Sequence, residues 1–188
     1  QGVLHYEKLQ YRGIDPLEDV WKNIWNDIRA YYGGEIQFYP KDILQLVDII
    51  VKQSWVPDVL IFQYVFSDMY KKSSEEEMIQ FIGKLADFLN SYEEKPIYIL
   101  CNDINLTKSQ GGGREFFDIL ESKINEPKKV SKKHFDNINR NSHYEYGEQY
   151  KRNVLVFEDI TEEVRNAYRP FESCASAQIL IKKEGAMK

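Results

Sequence analysis

Four polar clusters punctuate the apolar runs of this chain, and each follows a stretch with strand character. They are Gly13-Ile14-Asp15-Pro16, Lys41-Asp42-Ile43, Gln63-Tyr64-Val65-Phe66-Ser67-Asp68 and Cys101-Asn102-Asp103-Ile104-Asn105. A carboxylate closing a strand of a nucleotide-binding sheet can accept hydrogen bonds from both hydroxyls of a ribose. Asp15 is so placed. It is equally placed to cap a helix, with Glu18 three residues on and Pro16 suited to the first helical position. Asp42 offers a similar pair of roles. It can take an adenine amino hydrogen while the next backbone N–H, on Ile43, donates to the ring, or it can cap a helix with Gln45 completing the box. Polar groups at Gln63 and Tyr64 would face the reacting end of a ligand; alternatively Tyr64 and Phe66 are core aromatics and Ser67-Asp68 a turn. Asn102, Asp103 and Asn105 form a dense polar group for the end of a buried strand, although turns favour the same residues.

Other reactive side chains show less pattern. Cys101 has no histidine nearby in sequence, and a strand cysteine is ordinarily buried and inert. His5, His134 and His143 lack metal-ligand spacing. Gly111-Gly112-Gly113 is followed by no Lys-Ser/Thr, so it reads as a flexible helix entry rather than a phosphate loop.

The elements that must position these groups alternate. A short strand at 10–15 precedes a helix from Leu17 to Tyr32, whose Val20, Ile24 and Ile28 recur at helical spacing beside Trp21 and Trp25. Gly33-Gly34 stops it. A strand at 35–39 and a helix at 42–53 follow. The near-continuous apolar run Asp58–Phe66 predicts a strand covered on both faces. Ser74 and Glu77 form a capping box ahead of Met78, Ile79, Ile82, Leu85, Ala86 and Leu89. Pro96–Cys101 predicts another buried strand, and Phe116, Phe117, Leu120 and Ile124 a helix. Residues 125–152 hold seven Lys/Arg against four Asp/Glu and read as a surface insertion or mobile loop. Strands at 153–157 and 178–181, with a short helix near 161–168 between them, close the chain. The predicted fold is one α/β domain: a mostly parallel, doubly wound sheet with helices on both faces and an antiparallel strand pair at the C-terminal end. Ligands of such sheets bind at the carboxyl ends of the strands.

Composition narrows the function. The 188 residues carry 25 Lys/Arg against 30 Asp/Glu, a net charge of −5, which disfavours a whole-surface grip on nucleic acid. No apolar run reaches the length of a membrane span. No basic-then-apolar leader opens the sequence, and Cys101 and Cys174 show neither CxxC nor metal spacing. A cytoplasmic, metal-free protein is expected.

Tyr11-Arg-Gly-Ile-Asp-Pro16, the Asp42 position and Pro57-Asp-Val-Leu-Ile-Phe-Gln-Tyr-Val-Phe-Ser-Asp68 together resemble successive motifs of the Rossmann-like S-adenosylmethionine-dependent methyltransferases. The resemblance runs from about residue 3 to 183. It implies that Asp15, beside Pro16, binds the ribose of S-adenosylmethionine, and that Asp42, with Lys41 and Ile43, contacts its adenine. Gln63, Tyr64 and Val65 would line the methionine end, and Asn102 and Asp103 the pocket of a small-molecule or protein acceptor. No base is assigned. That family's glycine-rich loop is missing. The ribose acid usually lies about 20 residues beyond the loop, which falls before Gln1, with Gly2–Lys8 as the following helix. The first strand and loop are therefore expected upstream in the same polypeptide or on a partner chain. The alternative is a non-catalytic binding or scaffold module of the same fold, using Tyr144–Tyr150 or Lys128, Lys129, Lys132 and Lys133 as a partner surface. A nicotinamide-dependent dehydrogenase fits the closing strands and Asp42 less well.

Overall fold

The structure is a computed structural model that describes residues 10–32, 35–125, 128–135, 155–156, 161–168 and 173–186. The expected helix at 2–8, the glycine pair 33–34 and the tyrosine-rich stretch 144–150 lie outside the described residues. The chain forms two compact units, 1–56 and 57–188.

In the first unit, β1 (Tyr11–Ile14) and β2 (Ile36–Tyr39) pair in parallel, Tyr11 opposite Ile36 and Ile14 opposite Tyr39. The crossover between them is α1 (Glu18–Tyr32), as parallel pairing requires. Of its apolar residues whose side chains are described, only Trp25 is buried, stacked on Phe38 with centroids 4.8 Å apart and planes 2° apart. Val20, Trp21 and Ile24 stay exposed. A short 3₁₀ turn (Ile43–Gln45) leads into α2 (Leu46–Lys52), which buries Leu46 and Ile50.

The second unit holds β3 (Val59–Gln63), α3 (Val65–Lys72), α4 (Glu75–Ser91), β4 (Ile97–Ile104), α5 (Glu115–Lys123), β5 (Lys128–Phe135), β6 (Leu155–Val156), α6 (Glu162–Tyr168), β7 (Ser173–Cys174) and β8 (Ser176–Lys183). Its main sheet runs β3-β4-β8-β5. β3 and β4 are parallel, and β8 is antiparallel to both β4 and β5. The fold is thus α/β, with a mixed four-stranded sheet and a separate parallel pair.

The core lies on one face of the mixed sheet. Leu60, Phe62, Ile97, Ile99, Cys101, Ala177, Ile179 and Ile181 are buried there, with Phe66, Phe81 and Phe117 of α3, α4 and α5 meeting Phe62 or one another edge-on. Such contacts add about 0.5–1.5 kcal/mol each beyond area burial. The Ser74–Glu77 box forms as expected. The Ser74 amide donates to Glu77 Oε2 at 2.8 Å, and the Glu77 amide donates to Ser74 Oγ at 3.2 Å.

Three expectations give way. The run 58–66 is not one strand: β3 ends at Gln63, Tyr64 turns left-handed (φ 56°, ψ 24°), and Val65 starts a helix. Nor are both faces of β3 covered, since Val59 and Ile61 remain 50% and 62% exposed. Within the insertion predicted at 125–152, residues 128–135 form an edge strand, and 136–152 lie outside the described residues. The main antiparallel partner of β8 besides β4 is therefore this strand, while Leu155–Val156 pairs with Ser173–Cys174. The strand was hidden by its lysines. Lys128 reaches back to the carbonyls of Glu121 and Ile124 at the end of α5, and Lys132 pairs with Asp118 at 2.7 Å and Glu121 at 2.6 Å. Lysine is a usual device for blunting a sheet edge, and its stem packs while its charge reaches water.

Candidate functional site

The carboxyl ends of β1 and β2 form one edge, tied by the Asp15 amide donating to the Tyr39 carbonyl at 3.2 Å. Asp15, Pro16, Lys41, Asp42 and Ile43 all emerge there. Asp15 lines an open hollow of about 210 Å³ with Tyr11, Gly13, Ile14, Trp21, Trp25 and Phe38. Its Oδ1 accepts the Leu17 amide at 2.8 Å, so half of the carboxylate does the capping work. Oδ2 has no protein partner among the described residues. Gly13 makes the hollow: a Cβ there would stand 2.6 Å from Cδ1 of Phe38, forcing that ring off its stack with Trp25. The aromatic wall was not read from the sequence as a site. The available signal was a glycine inside a strand, which often marks a close approach.

Asp42 is exposed and caps the 3₁₀ turn, accepting the Leu44 amide at 2.9 Å, without the box expected from Gln45. Lys41 is exposed beside it.

At the other set of strand ends, Gln63 of β3 lies opposite Asn102 of β4, and the Tyr64 amide donates to the Asn102 carbonyl at 2.8 Å. Gln63 and Tyr64 are exposed and Val65 is half-buried. Asn102 is half-buried, its Oδ1 accepting from the Ser176 hydroxyl. Asp103 alternates to the opposite face and is fully buried. It accepts the Ser67 amide at 2.9 Å through Oδ2, and the Ser67 hydroxyl and the Ile104 amide (2.7 Å) through Oδ1. Burial pushes its carboxyl above the ordinary value of 3.8, against the pull of hydrogen bonds from Ser67, Ile104 and Phe66. Asp103 thus faces the first turn of α3 rather than solvent.

Ser67 Oγ also accepts the Gly113 amide at 3.1 Å. Gly112 and Gly113 are close-packing positions rather than the flexible helix entry their composition suggested, whereas Gly111 takes the left-handed conformation (φ 77°) that ends a 3₁₀ turn at Lys108–Gln110. A Cβ on Gly113 would lie 2.5 Å from the Phe66 carbonyl carbon, and one on Gly112 2.1 Å from the Leu106 oxygen. Ser67 and Gly113 were missed as members of this network because their partners are distant in sequence. Beside it, the buried Arg114 donates to Asn105 Oδ1.

Cys101 is fully buried, and its thiol is pushed far up by that burial and then by the Asp103 charge, so it is no nucleophile here. Among the described residues no group of three or more His, Cys, Asp or Glu side chains can hold a metal ion. No described helix is long and apolar enough to cross a membrane. His5 and His143 lie outside the described residues.

The structure therefore gathers Asp15, Pro16, Lys41, Asp42 and Ile43 in one unit, and Gln63, Tyr64, Val65, Asn102 and Asp103 in the other. Comparison with protein-family models, curated proteins and solved structures finds no match to this chain.

Proposed function

We propose that this protein binds S-adenosylmethionine and transfers its methyl group to a small-molecule or protein acceptor. The observation that carries the proposal is Asp15: a strand-terminal carboxylate that keeps one oxygen for a ligand while the other is fixed by a backbone N–H, at the rim of an aromatic hollow. A hollow of about 210 Å³ is smaller than the ~300–1,000 Å³ of complete small-molecule sites. It suits the nucleoside part of the cofactor. The finer fold that accompanies the proposal is a Rossmann-like doubly wound sheet. Its support is that β3, β4 and β5 share one direction while β8 runs reversed between β4 and β5, in keeping with a closing strand pair of which one member is antiparallel.

Asp15 Oδ2 would accept from a ribose hydroxyl, and Trp21 and Tyr11 would offer aromatic surface. The Asp42 carboxylate and the Ile43 backbone would meet the adenine edge, with Lys41 and Pro16 shaping the loops. The cofactor would supply an electrophilic sulfonium methyl. The protein's task is alignment of the acceptor's lone pair behind that methyl, which needs no general base. That requirement agrees with a site built from positioning groups.

Calorimetry of the intact protein with S-adenosylhomocysteine tests the proposal. Saturable heat that disappears in Asp15→Ala supports it; no heat at high protein concentration overturns it. A non-catalytic binding module is the second reading. It is favoured by the apolar face of the mixed sheet, where Val59, Ile61, Tyr98 and Leu180 are exposed.

A further inference from the structure

The hollow beside β1 is lined by four aromatic rings and a single charge, that of Asp15. Aromatic faces attract cations, most strongly where water is partly excluded. Two of the rings are already engaged. Phe38 is stacked on Trp25, and the Arg29 guanidinium stands 5.2 Å from its centroid. Trp21 and Tyr11 keep open surface, at 37% and 47% exposure. The basic residue of β1 is spent elsewhere. Arg12 lies between Tyr11 and Gly13 and so takes the opposite face of the strand. There its guanidinium stands 5.4 Å over the Trp55 ring and donates to the carbonyls of Tyr11 and Glu35 at 3.1 and 3.0 Å. Lys22 and Lys41 are exposed and do not line the hollow. Negative charge gathers instead. Asp15 gives Oδ1 to the Leu17 amide and leaves Oδ2 without a protein partner among the described residues. Glu18 and Asp19 follow in the first turn of α1, and these acids more than offset the partial positive charge of the helix N-terminus.

An inorganic cation wants several oxygen ligands, and no group of three acidic or histidine side chains is gathered among the described residues. Aromatic surface with one carboxylate suits a soft organic cation, whose charge is spread over methyl groups that donate no conventional hydrogen bond. We infer that the hollow selects for positive charge and takes a methylated onium group, a sulfonium or a quaternary ammonium, against Trp21 and Tyr11 with Asp15 as its counter-ion. The inference deepens the methyl-transfer reading and rests on it for one point only, the identification of the cation as a sulfonium. In S-adenosylmethionine the sulfonium is bonded to the exocyclic carbon of the ribose, so a carboxylate that receives the ribose also lies near the charge. S-adenosylhomocysteine keeps the ribose and lacks the charge. The preference of the hollow for a cation stands on its lining alone.

Titration of the intact protein, followed by tryptophan fluorescence, tests it with two probes of one shape. These are choline and dimethylbutanol, its uncharged isostere with carbon in place of nitrogen. Choline is expected to bind about tenfold more tightly. Asp15→Asn keeps a side-chain oxygen for the Leu17 amide, since Asn caps as well as Asp, and removes the charge. It should weaken choline about tenfold and leave dimethylbutanol unchanged. Trp21→Leu, at an exposed helix position that tolerates leucine, should weaken choline as well. Equal binding of the two probes, no binding of choline, or choline binding untouched in both variants overturns the inference. S-adenosylmethionine and S-adenosylhomocysteine are then used to displace choline. Displacement about tenfold better by the cationic cofactor names the sulfonium as the source. Displacement no better than by its neutral product assigns the hollow to quaternary ammoniums. If neither displaces choline and neither gives binding heat, the methyl-transfer reading falls while the cation site stands. If S-adenosylhomocysteine binds but the two probes bind alike, the charge preference falls alone.

Discussion

Asp15 and Asp103 occupy comparable places, each at or next to the carboxyl end of a strand in parallel pairing, and the structure treats them oppositely. Asp15 is half-buried, caps with one oxygen and turns the other toward an aromatic hollow. Asp103 is fully buried and gives both oxygens to the neighbouring helix and its own strand end. Strand-end position therefore does not define a ligand-binding acid; which face of the strand the side chain takes, and what already donates to it, does. A period of two sends Asn102 and Asp103 to opposite faces, so only one of the pair can look toward the open side.

The comparison is broken most forcefully at Asp103. Replacement by Ala strands the Ser67 amide and hydroxyl and the Ile104 amide in a buried setting. At about 1–3 kcal/mol for each unsatisfied group, the loss should reach about 3 kcal/mol or more, read as a fall in the urea midpoint. Next comes Gly113→Ala, whose new methyl meets backbone rather than a movable side chain. A cost of at least about 1–3 kcal/mol is expected from such overpacking, measured in the same assay. Asp15→Ala should separate stability from binding. Loss of its capping bond costs about 1 kcal/mol, whereas loss of a charge-assisted contact of about 1.5–3 kcal/mol should weaken S-adenosylhomocysteine roughly 10- to 150-fold. Equal losses of stability at Asp15 and Asp103, with no change in binding, would erase the distinction drawn here.

Titration sharpens the contrast further. The folded-state pKa of Asp103 is raised, so between its ordinary value of 3.8 and that raised value the folded chain holds more protons than the unfolded one. Its contribution to stability is then greatest below 3.8 and is lost as pH rises through the folded value. Glu77, held low by the Ser74 amide and hydroxyl, runs the other way, losing its contribution as pH falls. Subtracting the stability–pH curve of Asp103→Asn from that of wild type should leave a downward slope with rising pH; an upward slope would contradict the burial of this carboxylate. The smallest effect is expected at Gly83, in the middle of α4 with no atom within 4 Å of a built Cβ. Gly83→Ala should stabilise by about 0.5–1 kcal/mol, a rise in melting temperature that sets Gly113 apart as a packing glycine.

Features governed by neighbours in sequence were legible in it. The Ser74–Glu77 box needs residues three apart, and the stripe Met78, Ile79, Ile82, Leu85, Ala86 and Leu89 needs only helical spacing; all but Ile79, which is exposed, are buried. Asp15 and Asp42 as caps were likewise within reach, since each bonds the amide two residues on. Contacts made across the chain were not. Phe66 lies in a run that reads as strand, yet a carboxylate far along the sequence draws it into a helix. Lys128 and Lys132 look like a solvated basic loop until α5 supplies the carbonyls and carboxylates they reach. The glycines at 112 and 113 look flexible because the backbone pressed against them belongs to segments remote or looped back in sequence.

The late place of β8 in the chain order bears on how the molecule is made. β8 sits between β4 and β5 and, among the described residues, is the sole strand to which β5 is hydrogen-bonded. On a ribosome, β4 leaves the exit tunnel about 70 residues before the partner that must cover its edge, and β5 about 40 before, on the spacing of their registers. The second unit therefore cannot complete its sheet before β8 emerges. Until then two bare strand edges depend on dilution or on chaperones to stay apart from those of other nascent copies.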